Sequence, residues 1–281
     1  MYHITEYATS AGCIFTSEHS IRIHSIYKNT VNFSLDNLLF SFQNENSVKT
    51  PISLILLKHK VEELGFYVGE KLYVKDNKIQ NDRIVIGIEN AKAWDPVLPV
   101  ADSDRKKLYL QKMIVEEAIE EGKKKVLGAL EKAQYEVLMR SIHKIHISFE
   151  RKEYLKIAQI SSGLIGLGVG LTPSGDDFNV GFLSVLYNNQ SNLVVAEILK
   201  CLKVEIDRKK KETNDISGAF LRYACEGKFS DVLHDFYHAG GVKEEQLAVQ
   251  RILKLGHSSG KDLLIGINVA LGLFVHCNDR R

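Results

Sequence analysis

The 281-residue chain is short of the features that sort a protein most quickly. Its four cysteines, Cys13, Cys201, Cys225 and Cys277, show no CxxC spacing. That excludes a zinc framework or a disulfide scaffold and points to reduced thiols in a cytoplasmic protein. Net charge is only +2, from 37 basic and 35 acidic residues, so no strong field draws nucleic acid or a membrane surface. The one basic run, Arg208 to Lys211, reads as a solvated helix end or loop. The opening "MYHITEYATSAGC" lacks a basic segment leading into an apolar core, so no signal peptide is read there. The longest apolar run, Leu263 to Val275, contains Asn268 and falls short of the ~20 residues a spanning helix needs. Neither a dinucleotide fingerprint nor a P-loop lysine is present. What is left, 44% hydrophobic and 26% charged, is ordinary for a soluble globular protein.

Two patterns divide the chain. Up to about residue 90, short runs alternate or cluster apolar residues at strand length: Ile21 and Ile23, then Val31, Phe33 and Leu35, then "ISLILL", "KLYVKDNKIQ" and "RIVIGI". Asp76-Asn77 reads as a hairpin turn and Lys28 to Thr30 as another. These strands predict a small barrel-like β domain over 1–95. "AKAWDPVLPVADSD" then holds two of the four prolines and ends in the cap-rich Asp102-Ser103-Asp104, which marks a boundary. From 103 to 281 the period is helical, predicting a larger, mainly α domain and an α+β protein overall. The first helix is expected to place Leu110, Met113, Ile114 and Val126 on one side, with Glu120–Lys124 and Glu121–Lys125 pairs. Further helices are read at 129–147, 151–163, 174–189, 192–206, 213–226, 229–239, 243–255 and 259–276.

The chemistry concentrates in "GLGVGLTPSGDDFNVGF", Gly166 to Phe182. Pro173 suits the first position of a helix, with Thr172 as its cap, or Ser174 caps and pairs with Asp177 three residues on. Helix N-termini offer free N–H groups and a positive dipole end. Gly166, Gly168 and Gly170 allow close backbone approach. Asp176 and Asp177 either complement that dipole or hold a magnesium ion bridging to a phosphate, for which one or two carboxylates suffice.

A second stretch, "GHSSGKDLLIG", repeats the spacing. Ser174-Gly175-Asp176-Asp177 and Ser259-Gly260-Lys261-Asp262 share S-G-x-D-x-x-x-G, closing on Gly181 and Gly266. The favoured reading is a matched pair of helix N-termini facing one anionic small molecule. Thr213 or Asn214 caps the next helix, and Thr213 either is that plain cap or faces the same site. His257, inside the second motif, either shuttles a proton or merely precedes a cap. His234 with His238, and His143 with His146, are read as ordinary helix faces, since no third metal ligand accompanies them. Arg140, Arg151 and Arg222 are equal candidates for a carboxylate clamp.

"GxGxGLTPSGDD", then "TNDIS", then "GHSSGxDxLxG", resembles the AllH-like family, formerly catalogued without a function and named for a component of oxamate carbamoyltransferase. The resemblance covers the C-terminal domain, and the β-rich half carries no comparably sharp signature. It implies phosphorolysis of oxalurate to oxamate and carbamoyl phosphate, in allantoin or purine breakdown, by a protein of several different subunits. It further implies that Thr172, Ser174, Ser258, Ser259 and helix N–H groups stabilise charge on the carbamoyl oxygen, with Gly168, Gly170, Gly175 and Gly260 around the ligand. Asp177 and Asp262 would orient urea-like N–H groups or hold magnesium, and His257 would assist proton transfer. The Ser-Thr-Arg-Thr phosphate loop of ornithine and aspartate carbamoyltransferases is missing, so their mechanism does not carry over. Two other classes stay open: a non-catalytic subunit that docks partners, and a magnesium-dependent enzyme using a nucleotide. A homo-oligomer is compatible with every reading.

Overall fold

The computed structural model describes residues 1–58, 60–101, 105–121 and 128–277, with side chains to Val275. The chain divides into two compact units, Met1–Pro96 and Val97–Arg281. No helix among the described residues is long and apolar enough to cross a membrane.

The first unit is an eight-stranded barrel with one added strand. In chain order the strands are β1 (Tyr2–Ala8), β2 (His19–Ile26), β3 (Thr30–Leu35), β4 (Leu38–Gln43), β5 (Ser53–Leu56), β6 (Lys71–Lys75), β7 (Lys78–Gln80), β8 (Val85–Gly87) and β9 (Lys92–Trp94). Hydrogen-bonded neighbours run β5-β4-β3-β2-β6-β7-β8-β1, and β1 pairs back onto β5 to close the ring. β9 runs parallel to the far half of β1, from Glu6 to Ala8. Closure leaves fewer bare strand edges than an open sheet would. The expected β6–β7 hairpin forms, with Asp76 and Asn77 at φ 48° and 56°, the left-handed pair that a two-residue turn requires. Register shifts between Ile4 and Glu6 and between Ile23 and Ser25 bend two strands, as ring closure demands. The interior is apolar: Phe33, Phe40 and Phe42 are fully buried, with the Phe33 and Phe42 rings 4.6 Å apart. Each such ring contributes roughly 1.5–3 kcal/mol by leaving water.

The second unit begins before its first helix. Leu98 N–H donates to the Gly227 carbonyl at 2.9 Å and Asn188 Nδ2 to the Pro99 carbonyl at 2.8 Å, so the chain after Pro96 is already fixed to helical neighbours. The helices are α1 (Arg105–Glu121), α2 (Ala129–Glu150), α3 (Tyr154–Ser162), α4 (Ser174–Asn188), α5 (Leu193–Lys209), α6 (Asp215–Cys225), α7 (Asp231–His238), α8 (Val242–Leu253) and α9 (Ser259–Cys277). α4 and α9 form the centre. α4 is buried on nearly every side, and most described residues of α9 are buried too, the signature of helices inside a core.

Those two helices touch backbone to backbone because glycine sits at each crossing point. A side chain at Gly181 would drive into the Leu263 carbonyl, and one at Gly266 into the Phe178 carbonyl. Phe178 and Phe182 stack at 5.8 Å beside the crossing.

Two local expectations are corrected. α1 turns Leu108, Gln111, Val115, Ala118 and Ile119 inward together with Ile114, whereas Met113 is 51% exposed, because α8 and α9 pack on the Leu108–Val115 side. Within α1, Lys112 Nζ pairs with Glu116 at 2.5 Å. Asp102 to Asp104, Val126, and the lysines expected to pair with Glu120 and Glu121 lie outside the described residues. Finally, neither Thr172 nor Ser174 caps α4. Pro173 itself holds the cap position in extended conformation, φ −54° and ψ 144°, with no side-chain cap. Both hydroxyls have partners further away in the chain.

Candidate functional site

The N-terminal ends of α4 and α9 lie side by side, and their side chains cross over. The Asp177 carboxyl, at the start of α4, is met by the hydroxyls of Ser259 on α9 and Thr172 on its own loop. The Asp262 carboxyl, at the start of α9, is met by Ser174 of α4 and Ser258 of its own turn. Thr172 Oγ1 and Ser259 Oγ are themselves bonded at 2.8 Å, across 87 positions of sequence. Thr172, Ser174, Asp177, Ser258, Ser259 and Asp262 therefore form one cluster.

Burial sets its electrostatics. Asp177 is 9% exposed and Asp262 8% exposed. Loss of hydration pushes Asp177 up to about 8, helped by the neighbouring charge of Asp262 and opposed by the Ser259 and Thr172 hydroxyls. Asp262 is raised as well, again chiefly by burial, with Ser174, Ser258 and Lys261 acting the other way. Each carboxyl keeps one oxygen, Oδ2, buried and without a hydrogen-bond partner. Such orphaned atoms cost about 1–3 kcal/mol apiece in a folded protein.

Asp176 has a different task. It is 1% exposed; its Oδ1 accepts the Gly166 N–H at 2.8 Å, and its Oδ2 accepts the Ser217 hydroxyl at 2.6 Å and the Thr213 hydroxyl. The glycine loop, the α4 motif and the "TNDIS" segment thus meet on one carboxylate, which fastens the loop and the start of α6 to α4. Thr213 serves Asp176, while the cap of α6 is Asn214, whose Oδ1 accepts from Ile216 and Ser217 N–H. Asp176 and Asp177 consequently face different neighbours. Among the described residues, no group of three or more His, Cys, Asp or Glu is arranged to hold a metal. The pair with a shared side is Asp177 and Asp262.

The glycines divide by role. Gly175 and Gly260 have no room for a side chain, since one would enter the Leu164 and the Ile252 carbonyl respectively. They let the preceding segment press against the helix. Gly168, at φ 126°, also lies tight against the start of α4, and only glycine holds that angle easily. Gly170, at φ 100°, faces open space beside the exposed Val169 and Leu171. His257 and Ser258 occupy the exposed turn before α9.

The remaining candidates lie apart from the cluster chemically. Arg140 Nε donates to its own helix at the Glu136 carbonyl, Arg222 sits 3.5 Å from Glu226, and Arg151 is the exposed end of α2. The His234 and His238 rings stack 6.0 Å apart on α7, and His146 Nδ1 lies 2.9 Å from the Ile142 carbonyl. The cross-over itself, Ser174 to Asp262 and Ser259 to Asp177, is what spacing alone does not reveal. The shared motif signals that the starts of α4 and α9 match, not that they exchange serines.

A barrel followed by a helical unit, with two buried carboxyls met by hydroxyls at paired helix N-termini, defines a two-unit protein with a polar cluster inside its second unit. The chain belongs to the AllH family. Residues 164–271 match the model of oxamate carbamoyltransferase subunit AllH, and residues 8–93 match that of the AllH family N-terminal domain. No solved structure matches the chain.

Proposed function

We propose that this chain carries the substrate site of an oxamate carbamoyltransferase-like enzyme, transferring a carbamoyl group between oxalurate and phosphate. The observation that carries the reading is the pair of buried carboxyls, Asp177 and Asp262, each with an unpartnered Oδ2 between two helix N-termini. In the phosphorolytic direction, a phosphate oxygen attacks the carbamoyl carbon and the C–N bond breaks. The departing nitrogen must gain a proton as oxamate leaves. Asp177, still protonated near neutral pH, is the acid for that step, and Asp262 takes the proton that phosphate gives up. Products are oxamate and carbamoyl phosphate, with protons and charge balanced. The positive dipole ends of α4 and α9, together with the Thr172, Ser174 and Ser259 hydroxyls, stabilise the negative charge that grows on the carbamoyl oxygen. His257, in the open turn, is the exchange point with solvent protons.

Magnesium, if used, would be held by Asp177 and Asp262 and would supply charge neutralisation for phosphate oxygens, a role that needs only one or two protein carboxylates. The family description supports assembly with other carbamoyltransferase subunits. We place the activity in allantoin or purine breakdown in the cytoplasm, in keeping with the reduced thiols of Cys201 and Cys225. A second reading, a non-catalytic subunit that docks a partner through its glycine loop, is favoured by Val169 and Leu171, which are 67% and 47% exposed.

The test is the rate of phosphorolysis by the assembled enzyme with Asp177→Asn in this chain. Loss of an acid of this kind lowers the rate by about 10²–10⁴-fold. An unchanged rate would place the chemistry on another subunit.

A further inference from the structure

The starts of α4 and α9 match well beyond the shared motif. In the first, Leu167 N–H donates to the Leu164 carbonyl at 2.9 Å and Gly175 N–H to the Leu167 carbonyl at 2.8 Å. In the second, Leu255 N–H donates to the Ile252 carbonyl at 2.9 Å and Gly260 N–H to the Leu255 carbonyl at 3.1 Å. Gly175 backs onto Leu164 as Gly260 backs onto Ile252, and Gly181 abuts Leu263 as Gly266 abuts Phe178. Asp177 N–H reaches the Pro173 carbonyl at 3.1 Å, and Asp262 N–H the Ser258 carbonyl at 3.0 Å. Contacts that reciprocate in this way relate the two halves by an approximate two-fold axis, as in a symmetric dimer interface. A helix, turn and helix, α3–α4 and α8–α9, thus recurs within the unit.

The copies differ in charge and in cover. Gly175 lies eight positions after Leu167, but Gly260 only five after Leu255, so the first copy has three extra residues, which carry the exposed glycine loop. The second copy has no such loop and ends in the exposed His257 and Ser258. Where the first copy has the buried acid Asp176, the second has Lys261, whose charge acts on Asp262. A helix N-terminus already carries about half a positive charge. Lys261 adds to it at α9, whereas Asp176 opposes it at α4.

We infer that the start of α9 is a phosphate subsite, in which Asp262 Oδ2 accepts the O–H of a monohydrogen phosphate while the positive end of the helix and Lys261 face its other oxygens. This deepens the carbamoyl-transfer reading and rests on it for the identity of the reaction. The independent observation is Asp262 Oδ2 itself, buried and unpartnered at the head of a 19-residue helix. A carboxylate so placed repels an anion with no proton to offer and bonds to one that has such a proton. The subsite therefore takes phosphate and refuses sulfate, which matches phosphate in shape but carries no O–H near neutral pH. The α4 copy, under its glycine loop, is left for the amide-bearing substrate.

Calorimetric titration of the full chain, alone and with its partner subunits, with phosphate, sulfate and carbamoyl phosphate tests this. Phosphate is expected to bind at least about tenfold tighter than sulfate, a difference of ~1.4 kcal/mol. Asp262→Asn should bring the two anions together, and Lys261→Gln should weaken both. Carbamoyl phosphate, an acyl phosphate, carries no phosphoryl O–H at neutral pH and should lose less than phosphate does in Asp262→Asn; that arm separates the free anion from a phosphoryl group. Equal binding of sulfate and phosphate, a preference that survives Asp262→Asn, or no uptake of phosphate would overturn the subsite. Phosphate selectivity without turnover of oxalurate would keep the subsite and reject the carbamoyl-transfer reading. Turnover without selectivity would do the reverse.

Discussion

Asp177 offers a prediction that needs no substrate. Its carboxyl ionises near 3.8 when exposed and near 8 when folded, because burial strips the charged form of water. Between those values the unfolded chain has released a proton that the folded chain still holds, so stability falls as pH rises. The loss is about 1.4 kcal/mol per pH unit, accumulating to roughly 5 kcal/mol by pH 8 and levelling off above it. Asp177→Asn replaces the protonated carboxyl with a neutral group of the same shape and removes this term. The stability of wild type minus that of Asp177→Asn should therefore fall steadily from pH 5 to 8 and then flatten. Urea unfolding followed by helical circular dichroism measures it. Fluorescence of Trp94, the one tryptophan, would report the barrel unit instead. A difference constant across this range would mean that the buried carboxyl is already ionised, and the acid role assigned to it would fall.

Three further outcomes follow from packing. Gly181→Ala and Gly266→Ala each push a methyl into a carbonyl of the facing helix, and each should cost about 3 kcal/mol or more in denaturant unfolding, at the upper end of overpacking penalties. Asp176→Ala leaves the Gly166 N–H and the Thr213 and Ser217 hydroxyls without their acceptor; a loss of about 3 kcal/mol is expected in the same assay, and a loss below about 1 kcal/mol would deny it the fastening role. Asn214→Ala removes the cap of α6 and should cost about 1 kcal/mol without changing ligand binding.

The helices of the second unit are legible in the sequence because their signals are local. Glycine, proline and cap residues punctuate runs with helical spacing, and observed ends such as Ala129 and Leu193 fall within a residue of expectation. The cap of α4 is not legible, for the opposite reason. Thr172 and Ser174 are good local caps, yet their hydroxyls go to Ser259 and toward Asp262, partners more than 80 positions away that no local window contains. The exposed Met113 follows the same logic, since only tertiary packing decides which side of α1 meets α8 and α9. At the site, the repeated Ser-Gly-x-Asp spacing locates the paired helix starts. The assignment of Asp176 to structure and Asp177 to the cluster requires the fold, because neighbouring residues on a helix point about 100° apart.

The central claim is that the N-termini of α4 and α9 hold the substrate, and ligand-dependent unfolding of the full chain tests it most directly. Thermal scans with carbamoyl phosphate or oxamate, with and without magnesium, should show stabilisation of roughly 2.7 kcal/mol at a hundredfold excess over the dissociation constant. Asp177→Asn should abolish that shift while leaving the ligand-free chain folded and no less stable at neutral pH. A wild-type chain that no ligand stabilises, or a shift that Asp177→Asn leaves intact, would contradict the account.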